Sequence, residues 1–194
     1  MKKLILIIFL SSSCVTDDTR TGDKLYNDKR YEEAINVYTE GLKLNPNDTK
    51  SLYRRGRSYE EIKLYDMAVS DYKKILDIDK KNINALLSLA INSIRNKNYI
   101  VAESYSKNAI KINPDLDQAH LILGRSLQYQ GLFPDAMKSF KTSVSLNSNN
   151  SDSYYYMGLI YLKLDDSRNA CKNFTTSASL ENIKAINLSK KYCQ

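Results

Sequence analysis

A chain of 194 residues in which 42% are hydrophobic and 26% charged can bury a core, so collagen-like and disordered classes are excluded. With 6 glycines and 3 prolines it lacks the turn formers of an all-β protein, and helices joined by short turns are expected. The formal charge of +7 is modest, and Lys and Arg are scattered instead of gathered in one stripe, which reads as solvated helix faces and not as a nucleic-acid surface.

The chain opens with Lys2 and Lys3, then an apolar run from Leu4 to Leu10, then Ser11, Ser12, Ser13 and Cys14. This pattern predicts a secretory signal peptide over residues 1–13. The run is too short for a membrane span, which needs about 20 apolar residues. Removing Lys2 and Lys3 leaves a charge of 7 − 2 = +5. Small residues directly before Cys14 resemble the lipobox of bacterial lipoproteins. That resemblance implies acylation of Cys14, a short tether over residues 14–20, and a chain anchored by its lipid in the bacterial cell envelope, facing periplasm or surface. The lipobox usually has Leu three residues before the cysteine, whereas here that place is Ser11 and the leucine is Leu10. Cleavage after Ser13 without lipidation is the alternative.

Downstream, Ala34, Ala68, Ala102, Ala136 and Ala170 recur at a step of 34. Gly22, Gly56, Gly124 and Gly158 keep the same step, with Ala90 in the third place. Tyr31, Tyr65, Tyr99 and Phe133 form another column, broken by Ser167, and Tyr38, Tyr72, Phe140 and Phe174 a fourth, broken by Ser106. Asn45, Asp79, Asn113 and Asn147 form a fifth, whose polar character ends each second helix. Two antiparallel helices approach closely where side chains are small, so the glycine or alanine of the first helix is expected to meet the alanine of the second. Large residues flank these positions: Leu52 and Tyr59, Leu86 and Leu89, Leu123 and Leu127, Tyr154 and Tyr161. Pro134 falls in the first turn of a second helix, where its missing N–H costs nothing.

These columns resemble the tetratricopeptide repeat, with Pro46 and Pro114 in its closing proline position and Lys80, Ser148 and Asn182 replacing it elsewhere. The repeats run over 15–48, 49–82, 83–116, 117–150 and 151–184, and residues 185–194 form a capping helix. The first helix of repeat one is expected around Thr19 to Asp28. The resemblance implies an all-α fold of tandem TPR hairpins stacked as a right-handed α-solenoid. It also implies a concave inner surface that binds a protein or peptide, lined by Lys50, Tyr53, Arg57, Asn84, Leu87, Ile91, Arg95, Gln118, Leu121, Arg125, Tyr129 and Tyr155. Tyr53, Tyr129 and Tyr155 lie outside the scaffold columns, and Tyr and Arg are enriched in binding hot spots. The carboxylate clamp of chaperone-binding relatives needs Lys, Asn, Asn, Lys and Arg on successive first helices. Asp23, Lys50, Arg54, Arg57, Asn84, Ser88 and Arg95 do not reproduce it.

No chemistry competes with this reading. Gly41 reads as a second small site and Gly131 as a hairpin turn, which leaves no glycine for a phosphate loop. His120 occupies a bulky core position and reads as packing, and no His, Cys, Asp or Glu cluster has metal-ligand spacing. No catalytic residue, metal or cofactor is expected. Cys171 and Cys193 fall at similar height on facing arms of the last hairpin, which allows either a disulfide or two buried thiols. The expectation is a non-catalytic, lipid-anchored envelope adaptor. Its alternatives are an assembly scaffold that uses its edges and a regulatory subunit of an envelope enzyme.

Overall fold

A computed structural model of the chain describes the backbone of residues 14–193 and the side chains of 19–193. The expected leader over 1–13 and the side chain of Cys14 lie outside the described residues. The described residues form helices α1 (Cys14–Asn27), α2 (Tyr31–Leu44), α3 (Thr49–Glu61), α4 (Tyr65–Ile78), α5 (Ile83–Arg95), α6 (Tyr99–Ile112), α7 (Asp117–Tyr129), α8 (Phe133–Leu146), α9 (Ser151–Lys163), α10 (Ser167–Ser179) and α11 (Ile183–Tyr192). They fall into two compact units that divide between residues 80 and 81. The fold is all-α, built of helical hairpins in tandem. The first helix begins at Cys14, not at Thr19, so residues 14–18 continue the helix where a tether was expected.

Within each hairpin the first helix ends the same way. The Lys63 N–H donates to Glu60 O at 3.0 Å and the Leu64 N–H to Tyr59 O at 2.8 Å, a pair of bonds that closes a Schellman cap and requires a left-handed residue after the helix. That residue is Lys29 (φ 61°), Lys63 (63°), Lys97 (61°), Gly131 (79°) and Asp165 (59°), again at a step of 34. Glycine meets the requirement without strain at Gly131 alone. Between repeats the chain turns differently. Asn45, Asp79, Asn113 and Asn147 end the second helices with φ between −130° and −142°. Asp48, Asn82 and Asn150 then cap the next first helices through their side chains. Pro134 sits in the first turn of α8.

In the first unit α1 packs on α2 and α3 on α4, with α2 on α3 and α1 on α3. Its core holds Ala34, Tyr38, Leu52, Ala68, Tyr72 and Ile75, each at most 1% exposed. The nearest neighbours of Gly22 and Gly56 are aromatic rings of the second helix. A Cβ on Gly22 would lie 2.5 Å from Cε1 of Tyr38, and one on Gly56 2.6 Å from Cε1 of Tyr72. Arg55 grips Asp71 with Nε at 2.9 Å and Nη2 at 2.7 Å and donates to Thr39 at 3.1 Å, so one planar fork ties α3 to α4 and α2. Gly41, expected as a close approach, has open space around it.

In the second unit α5 to α10 repeat the arrangement and α11 packs on α10. A Cβ on Gly124 would lie 2.6 Å from Cε1 of Phe140, and one on Gly158 2.5 Å from Cε1 of Phe174. Repeat three carries Ala90 and Ser106 in these two columns, both fully buried, so the residue that adds a Cβ coincides with the loss of the ring. Between repeats four and five two small residues meet, with Ser153 Oγ 2.9 Å from Ser143 Oγ. Leu121, Leu123, Leu127, Phe140, Met157 and Ile160 form the central cluster. His120 is half-buried, with Nε2 2.8 Å from Pro114 O. The capping helix starts at Ile183, earlier than residue 185. The link from α10 turns at Glu181 (φ 63°), and Asn182 caps α11 by accepting the Ala185 N–H at 3.2 Å.

Candidate functional site

Each of the two units presents its own face of first helices. In the first unit, Asp23 on α1 accepts from Tyr38 OH at 2.8 Å and from Arg54 Nη1 at 2.9 Å. Burial, then the hydrogen bond to Asp23, pushes the Tyr38 phenol well above its usual pKa. Arg57, half-buried on α3, lies between Tyr53, Tyr26 and Glu60, with Nε 3.3 Å from Glu60 Oε2. Burial opposes its charge, but the hydrogen bond to Tyr53 and the neighbouring Tyr26 and Glu60 outweigh it and raise its pKa. The Tyr53 ring is half-buried, 5.8 Å from that of Tyr72. Lys50 is exposed, and its backbone N–H is held by Asp48 at 3.2 Å. This face pairs its charges internally, leaving Lys50 and the edges of Tyr53 and Arg57 to solvent.

In the second unit α7 touches both α5 and α9, so three first helices lie side by side. Arg125 Cζ sits 5.2 Å above the Tyr156 ring, which stacks on Phe140 at 5.6 Å and meets Tyr155 edge-on at 5.2 Å. Tyr155 is half-buried with its ring 6.3 Å from Phe174. Tyr129 is 50% exposed and stacks on Tyr99 at 5.0 Å. Burial, then the neighbouring Tyr129 and Asp152, raises the Tyr155 pKa. Burial lifts Tyr156 to about 12, against the opposing pull of Arg125. The helical spacing of α7 and α9 therefore gathers Arg125, Tyr129, Asp152, Tyr155 and Tyr156 into one aromatic and polar patch. A cation–π contact attracts the Arg125 guanidinium to the Tyr156 ring within this patch.

The remaining expected positions divide. Asn84, Arg95 and Gln118 are exposed and Ile91 is half-buried, with Arg95 Nη1 2.6 Å from Asn92 Oδ1. Leu87 (6% exposed) and Leu121 (9%) are buried, and Leu121 belongs to the central cluster, so they hold helices together instead of lining a surface. Tyr156 was missed because its place one residue after Tyr155 points it toward Arg125 and Phe140. Its stacking partner Phe140 lies on α8 of the preceding repeat, and the scaffold columns alone do not show that contact. Cys171 and Cys193 are joined in a disulfide with Cα atoms 5.3 Å apart. Among the described residues no group of three His, Cys, Asp or Glu could hold a metal ion, and no helix is long and apolar enough to cross a membrane.

Residues 22–63 match the TPR repeat family, and residues 49–82 and 139–172 match the tetratricopeptide repeat. With the hairpins described above, these matches make the chain a member of the tetratricopeptide repeat family. It is similar to human Protein O-mannosyl-transferase TMTC3, 26% identical over 176 residues that cover 82% of this chain and 19% of that protein. It is 27% identical over 160 residues to the Hsp70-Hsp90 organising protein of Plasmodium falciparum, covering 65% of this chain and 28% of the other. The chain thus spans less than a third of either relative. Among solved structures, MamA 41-end from Desulfovibrio magneticus RS-1 has the same fold, with a TM-score of 0.78 at 19% identity over 86% of this chain and 94% of that one.

Proposed function

We propose that the protein is a non-catalytic adaptor that holds a peptide or helix of a protein partner on the first-helix face of its second unit. The observation that carries this is the patch of Arg125, Tyr129, Tyr155 and Tyr156. It sets an exposed ring and a stacked guanidinium on rigid helices, the residue types that dominate binding energy at interfaces. Likeness to a chaperone-organising protein supports a role in joining proteins, although the clamp residues of such relatives are not reproduced here. The adaptor stands in the bacterial envelope, anchored by a lipid on Cys14; the short greasy leader and the small residues before that cysteine support this. The Cys171–Cys193 disulfide suits an oxidising compartment.

Affinity purification from cells carrying wild type or Arg125→Glu/Tyr155→Ala tests the binding face. The partner is expected to fall at least tenfold in the double variant while the thermal melt stays within a few degrees. Unchanged recovery contradicts the reading. Labelled fatty acid is expected on wild type and absent from Cys14→Ala, and a label missing from both removes the anchor.

A further inference from the structure

The last helix is held by very little. Of the ten residues of α11, Ala185 is the buried one, while Ile183 is 76% and Tyr192 38% exposed. Lys184, Asn187, Lys190 and Lys191 also face solvent. A helix of this length is marginal in water and depends on tertiary burial, which α11 obtains from its packing on α10. Its start is fixed by Asn182, which accepts the Ala185 N–H at 3.2 Å and donates to Asp152 at 2.8 Å. Its end is fixed by the bond between Cys193, the cap of α11, and Cys171 on α10. The bond closes the α10–α11 hairpin opposite its turn at Glu181, and Thr175 Oγ1 lies 4.0 Å and 3.9 Å from the two sulfurs. Both cysteines are half-buried, within reach of a small thiol.

We infer that the Cys171–Cys193 disulfide is a redox latch that determines whether α11 stays docked on α10, and that its reductant is a dithiol. One thiolate of the dithiol attacks a protein sulfur, and the other protein sulfur leaves as a thiolate and takes up a proton. The second thiol of the reductant then displaces the first protein sulfur from the mixed disulfide. The protein gains two electrons and two protons, and the dithiol ends as its own disulfide. With the latch open, α11 keeps the Asn182 cap with its bond to Asp152, one buried alanine and the half-buried Ile186 and Leu188, less than a ten-residue helix needs to stay docked. The flank of α10 beneath it is then uncovered. This inference does not rest on the partner-binding reading.

Hydrogen exchange of the full chain tests it, comparing the oxidised protein, the same protein reduced with dithiothreitol, and Cys171→Ser/Cys193→Ser. Amides of residues 186–192 are expected to exchange at least tenfold faster in the reduced and double-variant proteins, while those of Leu121 to Leu127 keep their rates. Equal protection of α11 in the oxidised and reduced forms overturns the latch. So does loss of protection that spreads through α5 to α10, or absence of the linked Cys171 and Cys193 peptides from the oxidised protein.

Discussion

Tyr38, Tyr72, Phe140 and Phe174 each rest on a glycine where a Cβ does not fit, and this pairing fixes how closely those hairpins close. Gly124→Ala places its Cβ 2.6 Å from Phe140 and is expected to destabilise by roughly 1–3 kcal/mol. In a Phe140→Ala background the same change is expected to cost less than about 0.5 kcal/mol, since the ring it collides with is gone. Denaturant melts of the four proteins measure this coupling. Both columns are visible in the sequence, but a shared step of 34 does not say which columns touch. Repeat three held the clue, because Ala90 and Ser106 break the two columns together. Tyr156 adds a pH dependence. Its pKa rises from 10.0 to about 12 in the folded chain, so its contribution to stability is fully present below pH 10 and is lost as pH climbs through 12. Tyr156→Phe is expected to flatten the alkaline fall of the unfolding free energy between those values, and an unchanged slope would contradict the assignment.

At the scale of the helix, the first helix of each hairpin ends in a left-handed residue that is mostly lysine or aspartate. The conformation costs a residue with a Cβ more than it costs glycine. Lys63→Gly is therefore expected to stabilise the chain by roughly 0.5–1 kcal/mol, seen as a higher melting temperature. A lower one would mean that the lysine side chain matters more than its backbone. Sequence reading reached Gly131 here and no further, because Lys29, Lys63, Lys97 and Asp165 carry no local mark of positive φ. The turns between repeats were legible in advance, since Asn and Asp cap and turn chains through their own side chains. The start of α11 was not, because its link abandons the Asn column for a cap at Glu181 and so shortens the connection.

At the scale of the molecule, the period of 34 made the all-α repeat architecture legible from five alanines and four glycines, because a hairpin cannot bury its faces alone and must repeat to do so. Of the first-helix positions read from the sequence, Arg125, Tyr129 and Tyr155 lie together at the surface of the second unit, whereas Leu87 and Leu121 turn inward, because family positions mark a helix face and only packing decides which side chains on it are covered. Site-directed photo-crosslinking in cells tests the first-helix patch of the second unit most directly. A crosslinking residue at Tyr129, half exposed on α7, is compared with one at Lys172, exposed on α10. A defined partner is expected to be trapped from position 129 and not from 172. Capture from 172 alone, or equally from both, would contradict it.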